Sequence, residues 1–170
     1  MIFNTTFFKM KLNRLLLVLS VAFFFSCGGD DGSSTQNSIR LDGESFKVIA
    51  PSIQGISMDG EGHAAISFVN GGASTMRSLQ IDVEYSTRAN LPGTYAYPDN
   101  GEDRLLDEFL TNYTWFEGQD MYDTQLSSGT VTVKHNGSDN YTVTMDLMME
   151  DGSKFTGTYR GEFTTQFSDN

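Results

Sequence analysis

From Thr130 to Phe163 the chain alternates with a period of two, a pattern that only pleated strands accommodate. Val131 and Val133 fall on one side, with Thr130, Thr132 and Lys134 on the other. Tyr141, Val143, Met145, Leu147 and Met149 then put five apolar residues on one face. Phe155, Gly157, Tyr159, Gly161 and Phe163 repeat the pattern against Thr156, Thr158, Arg160 and Glu162. Successive side chains of a strand point to opposite faces, so these three runs predict an antiparallel meander with one buried side. Asn136-Gly137-Ser138-Asp139 and Asp151-Gly152 supply its turns. The inward glycines Gly157 and Gly161 are expected to leave room for a large neighbour such as Tyr141 or Trp115, or to permit a bend.

The same alternation runs through the preceding residues. Ile39, Leu41, Phe46 and Val48 bracket Asp42-Gly43, Ile53 and Ile56 lead to Asp59-Gly60, and Ala64 to Val69 lead to Asn70-Gly71-Gly72. Leu79, Ile81, Val83 and Tyr85 alternate with Ser78, Gln80, Asp82 and Glu84, the signature of a half-buried strand. Thr94 to Tyr97 form a short strand between Pro92-Gly93 and Pro98. Tyr113 and Trp115 alternate with Asn112 and Thr114, and Glu117 to Asp120 read as a loop. One segment departs from this pattern. Leu105, Leu106, Phe109 and Leu110 fall at helical spacing behind Glu102 and Asp103, predicting a short helix near 102–110. The fold class expected is all-β: an antiparallel up-and-down barrel or a two-sheet sandwich of eight or more short strands.

A different signal precedes this body. Lys9, Lys11 and Arg14 are followed by the apolar run Leu15 to Phe25, then Ser26 and Cys27, the only cysteine. The run is shorter than the ~20 residues a membrane-crossing helix needs, so it reads as a secretory signal. A basic start, a short apolar run and a small residue before cysteine resemble a bacterial lipoprotein signal, in which the cysteine is acylated and becomes the new N-terminus. The expected division is a cleaved signal peptide at 1–26, acylated Cys27 with a flexible acidic tether over 27–38, and a single β domain at 39–167.

The full chain has a formal charge of −11. Removing the signal takes away three basic residues and no acid, which leaves −14. That excess argues against nucleic acid and against electrostatic adhesion to an anionic bilayer. With Cys27 acylated, no thiol is left for a disulfide, a thiolate nucleophile or a cysteine-based metal site.

Cys27-Gly28-Gly29-Asp30-Asp31 resembles the start of many Bacteroidetes lipoproteins, in which acids after the acylated cysteine accompany export to the outer face of the outer membrane. Leu41-Asp42-Gly43 to Phe46, Leu91-Pro92-Gly93-Thr94-Tyr95, Ser128-Gly129-Thr130-Val131-Thr132-Val133 and Gly157-Thr158-Tyr159-Arg160-Gly161 are similar to a widespread group of Bacteroidetes surface lipoproteins with an all-β domain. The resemblance implies a lipocalin-like barrel and an outer-membrane, lipid-anchored location on the cell surface. Its motifs are turn and core residues, so it implies no site.

Chemical motifs are sparse. Gly60-Glu61-Gly62-His63-Ala64-Ala65 matches a dinucleotide fingerprint, yet the residues up to Asn70 are too few for the helix that fingerprint opens, and a hairpin turn is expected instead. His63 and His135, the only histidines, are expected as solvated turn residues, neither haem nor metal ligands. Asp99-Asn100-Gly101-Glu102-Asp103 lacks EF-hand spacing and reads as a solvated acidic turn. No nucleophile elbow and no Ser-x-x-Lys occurs, so no catalytic residue, metal or cofactor is assigned. The candidate binding site is the aromatic group Tyr113, Trp115, Phe116 and Tyr122, suited to a small apolar or glycan ligand. Met145 and Met149 are expected in the core, with Met148 on the other face. The expected function is a non-enzymatic binding or accessory module, with an outer-membrane protein as a further candidate partner. The alternative is a structural or adhesive surface protein with a solid core.

Overall fold

The computed structural model describes residues 35–71 and 75–169. The expected signal at 1–26, Cys27 and the tether as far as residue 34 lie outside the described residues. Thirteen strands follow in order: β1 (Gln36–Asn37), β2 (Arg40–Leu41), β3 (Glu44–Ser45), β4 (Ala50–Met58), β5 (Glu61–Asn70), β6 (Arg77–Tyr85), β7 (Gly93–Tyr97), β8 (Arg104–Leu105), β9 (Asn112–Glu117), β10 (Asp120–Gly137), β11 (Asn140–Met149), β12 (Lys154–Glu162) and β13 (Thr164–Asp169). The sheet therefore takes up the chain at Gln36, inside the expected tether, where Gln36 and Asn37 pair with Arg160 and Tyr159.

The hydrogen-bonded order is β13-β4-β5-β6-β9-β10-β11-β12-β2-β3, with β1 beside β12 and β7 and β8 added at β10. Neighbours are antiparallel except β13 on β4 and β8 on β7. The eighteen-residue β10 belongs to two half-sheets. Asp120 to Gln125 pair with β9, whereas Leu126 to Gly137 pair with β11 and Gly129 to Val133 with β7. The register slips between Leu126 and Ser128, and Gly129 follows at φ 153° with Asp146 O only 2.4 Å from where a Cβ would stand. That bulge and glycine turn the strand from one half-sheet to the other.

The inner faces of the two halves meet through aromatic rings. Phe68 of β5 lies 5.7 Å from Tyr159 and 5.8 Å from Phe163, while Tyr113 of β9 stands edge-on to Phe155 of β12 at 5.0 Å. Around them Ile53, Ile66, Leu79, Ile81, Val83, Val131, Val143 and Leu147 are fully buried. Each such side chain contributes about 1.5–3 kcal/mol by leaving water, which is why the period-two pattern determines the register. Tyr141, Val143, Met145, Leu147 and Met149 all point inward as the alternation requires, and Met148 points the other way.

The path does not return on itself, so the molecule is an all-β sandwich or open barrel and not the closed barrel the lipocalin-like expectation implied. The outer edge of β12 is taken by the two-residue strands β1 and β2. The chain instead crosses through Phe163 into β13, which lies against β4.

The helix expected near 102–110 is absent. Arg104 and Leu105 form β8, Leu106 bridges to Val83, and only Leu106 of the four apolar residues is buried. Leu105, Phe109 and Leu110 are exposed, so no apolar face exists for a helix to bury. Side chains also take amide N–H groups there: Asn100 Oδ1 accepts from Glu102 and Asp103, and Asp107 Oδ1 from Phe109 and Leu110. What remains is one turn closed by Thr111 N–H donating to Asp107 O.

Gly161 lies opposite Tyr141 in the register, but the space at Gly157 serves another partner. Gly157 sits at φ 118°, and a Cβ there would stand 2.3 Å from Ser38 O. The space accommodates the backbone between β1 and β2, not Tyr141 or Trp115.

Candidate functional site

The hairpin of β9 and β10 turns at Gly118, whose φ of 68° suits glycine, and its register places Trp115 opposite Tyr122, with Glu117 opposite Asp120 beyond them. Directly opposite residues share a face, so Tyr113, Trp115, Tyr122, Glu117 and Asp120 all project from the side that faces the core further along. The rings form a stair. Tyr113 packs on Trp115 at 5.0 Å and 19°, and Trp115 packs on Tyr122 at 5.6 Å and 19°. Phe155 anchors the stair at its inner end. Tyr113 is 5% exposed, Trp115 is half-buried and Tyr122 is 42% exposed, so the stair leads from core to solvent.

Burial raises the Tyr113 phenol above its usual range, against the lowering effect of Arg77. The Trp115 indole N–H donates to Glu117 Oε1 at 3.3 Å. Phe116 is on the opposite face, across from Met121. Of the four aromatic residues expected to form a site, three come together and Phe116 does not. Near-parallel rings ending in an exposed phenol, flanked by two carboxylates, can stack a flat ring and accept hydrogen bonds from its hydroxyls.

A second cluster lies on the outer face of the antiparallel strands β4, β5 and β6. His63 of β5 brings Nδ1 within 2.7 Å of Oδ1 of Asp82 on β6. Alternation placed Asp82 on the polar side, and so it is, but the turn from Asp107 to Thr111 covers it. Asp107 N–H donates to Asp82 O, and Asp82 N–H donates to the Thr111 hydroxyl. The Asp82 side chain is 6% exposed, whereas that of His63 is 54% exposed. Burial pushes the Asp82 carboxyl up from 3.8 to about 6; His63 lowers it through its hydrogen bond and charge, and Asp107 raises it further. One ligand atom from each of His63, Asp82 and Asp107 lies within 4.8 Å of the others. Sequence reasoning treated His63 as a solvated turn residue and missed this cluster, because nothing in local spacing joins residues 63, 82 and 107.

The other motifs are accounted for locally. Gly60 belongs to the β4–β5 turn, and Gly62 to Ala65 are strand, so the fingerprint opens no helix. His135 stacks on Tyr141 at 4.8 Å, and its Nε2 lies 2.7 Å from Ser138 O. It sits on the half-sheet opposite to that of His63, and the two do not form an axial pair. In the acidic turn, Asp99 accepts from Gly101 N–H and Asp103 from the Asn100 amide. No helix among the described residues is long and apolar enough to cross a membrane. No protein-family model, no curated protein and no solved structure matches the chain.

Proposed function

We propose that this chain is a lipid-anchored surface protein, held at the outer membrane through acylated Cys27, that binds a glycan on the aromatic stair without catalysing a reaction. The observation that carries the binding reading is the stack of Tyr113, Trp115 and Tyr122, which starts in the core and ends in solvent. Core filling requires no ring as exposed as Tyr122. Glu117 and Asp120, opposite one another at the end of the stair, favour a ligand rich in hydroxyl donors over a purely apolar one. The ring contacts between the two inner faces support placing the ligand on the hairpin instead of inside a barrel.

The anchor reading rests on the run of Leu15 to Phe25 that stops at Ser26-Cys27. The structural or adhesive alternative draws on Ile56 and Met58, exposed at 64% and 69% on the outer face of β4, where a protein partner has apolar surface to cover.

The test is to purify the protein from its native membranes, extract it and look for a bound saccharide by mass spectrometry. A stoichiometric sugar absent from the Tyr122→Ala variant supports glycan binding. An empty protein that co-purifies with one membrane protein, and loses it on Ile56→Ser, favours the structural reading.

A further inference from the structure

We propose that His63, Asp82 and Asp107 form a site for a divalent transition-metal cation of the zinc class. Three elements distant in sequence deliver one imidazole and two carboxylates to a single point: β5, β6 and the turn that follows β8. A simple histidine–carboxylate pair needs only His63 and Asp82. Asp107 is nevertheless held against them, tied to β6 by its own N–H and by the reach of Thr111.

The second carboxylate is oriented and left available. Asp107 Oδ1 accepts from the amides of Phe109 and Leu110 at 2.9 and 2.8 Å, which fixes the group, while Oδ2 takes no hydrogen bond among the described residues. Asp82 has the same division: Oδ1 meets His63, while Oδ2 takes no hydrogen bond among the described residues and is not sealed from solvent, in a side chain only 6% exposed. A buried carboxylate beside a second carboxylate is unfavourable unless a cation stands between them.

Imidazole with two carboxylates suits zinc and its neighbours, whereas calcium and magnesium prefer oxygen alone. At metal–ligand lengths of ~2.1 Å, tetrahedral ligands stand ~3.4 Å apart. His63 Nδ1 already lies 2.7 Å from Asp82 Oδ1 and the three ligand atoms lie within 4.8 Å of one another, so an ion needs that hydrogen bond to open and the wider spacings to close by up to about 1.5 Å. Three protein ligands leave a fourth position for water.

The experiment titrates ZnCl2 into the metal-free full chain in detergent and follows heat. One ion should bind per chain at a micromolar dissociation constant. His63→Ala and Asp107→Asn should each weaken it about tenfold or more, and His135→Ala should leave it unchanged. In the unsubstituted protein, imidazole nitrogen NMR should show Zn2+ shifting His63 and not His135, a readout that does not depend on any variant folding. Affinity weaker than about 1 mM, a shift at His135 instead of His63, or Ca2+ binding as tightly as Zn2+ overturns the proposal.

Discussion

Replacing Asp82 with Asn should stabilise the metal-free protein at neutral pH, against the usual expectation for a buried polar residue that has a partner. The Asp82 carboxyl is buried beneath the Asp107 turn and raised from 3.8 to about 6, chiefly by loss of water. An acid raised in the folded state binds its proton more tightly there than in the unfolded chain. Its contribution is therefore fully present below 3.8 and is lost as pH rises through 6. A shift of about 2 units corresponds to about 3 kcal/mol above pH 7, and to about 1.5 kcal/mol at pH 5, where the loss is half complete. Asn has nearly the same shape, carries no charge, and offers an oxygen to His63. Urea melts in EDTA at pH 5 and pH 8 should show Asp82→Asn more stable than the parent at both values, with the difference widening by about 1.5 kcal/mol at pH 8. A difference that does not change with pH, or a variant less stable at pH 8, refutes the reasoning.

Four other substitutions test the fold and the anchor. Val143 is fully buried in the meander, so Val143→Asp should unfold the domain, while Thr142→Asp on the other face should change the stability measured by urea melts by less than about 0.5 kcal/mol. Gly157→Ala should destabilise by more than about 2 kcal/mol in the same melts, since its Cβ meets Ser38 O at a φ that disfavours any side chain. Fatty-acid labelling of cells should mark the parent protein and not Cys27→Ala; label that survives the substitution removes the anchor.

The meander was legible because its side-chain period is short and local: Tyr141 to Met149 state their own face, and Asp151-Gly152 states the turn. The helix misreading at 102–110 has the same root, since spacing alone does not say whether anything covers the face it defines. Leu105 and Phe109 find no partner surface, and Asp107 takes the amides of its own turn. Ile53 and Ile56 are three apart in β4, so the first is buried and the second exposed. Closure of the barrel depends on which strand lies beside β4, a contact between distant parts of the chain that no local pattern encodes. The candidate site divides in the same way. Tyr113 and Trp115 follow from alternation along β9, and Tyr122 joins them through the hairpin register. Phe116 is next to Trp115 in sequence, yet adjacent strand residues point apart, so proximity along the chain does not bring it to the same face. The Asp82 cluster depends wholly on tertiary placement.

Trp115 is the only tryptophan, and it lies in the middle of the stair, so its fluorescence reports directly on ligand stacking. Titration with a saccharide recovered from the native protein should give a saturable change in that emission. Tyr122→Ala should weaken binding about 2- to 13-fold, the equivalent of the ~0.5–1.5 kcal/mol that one aromatic ring contributes by stacking, and Phe116→Ala should leave it unchanged. Saturable binding with equal affinity in the parent and in Tyr122→Ala, or loss of binding in Phe116→Ala alone, would contradict a ligand site on this face of the hairpin.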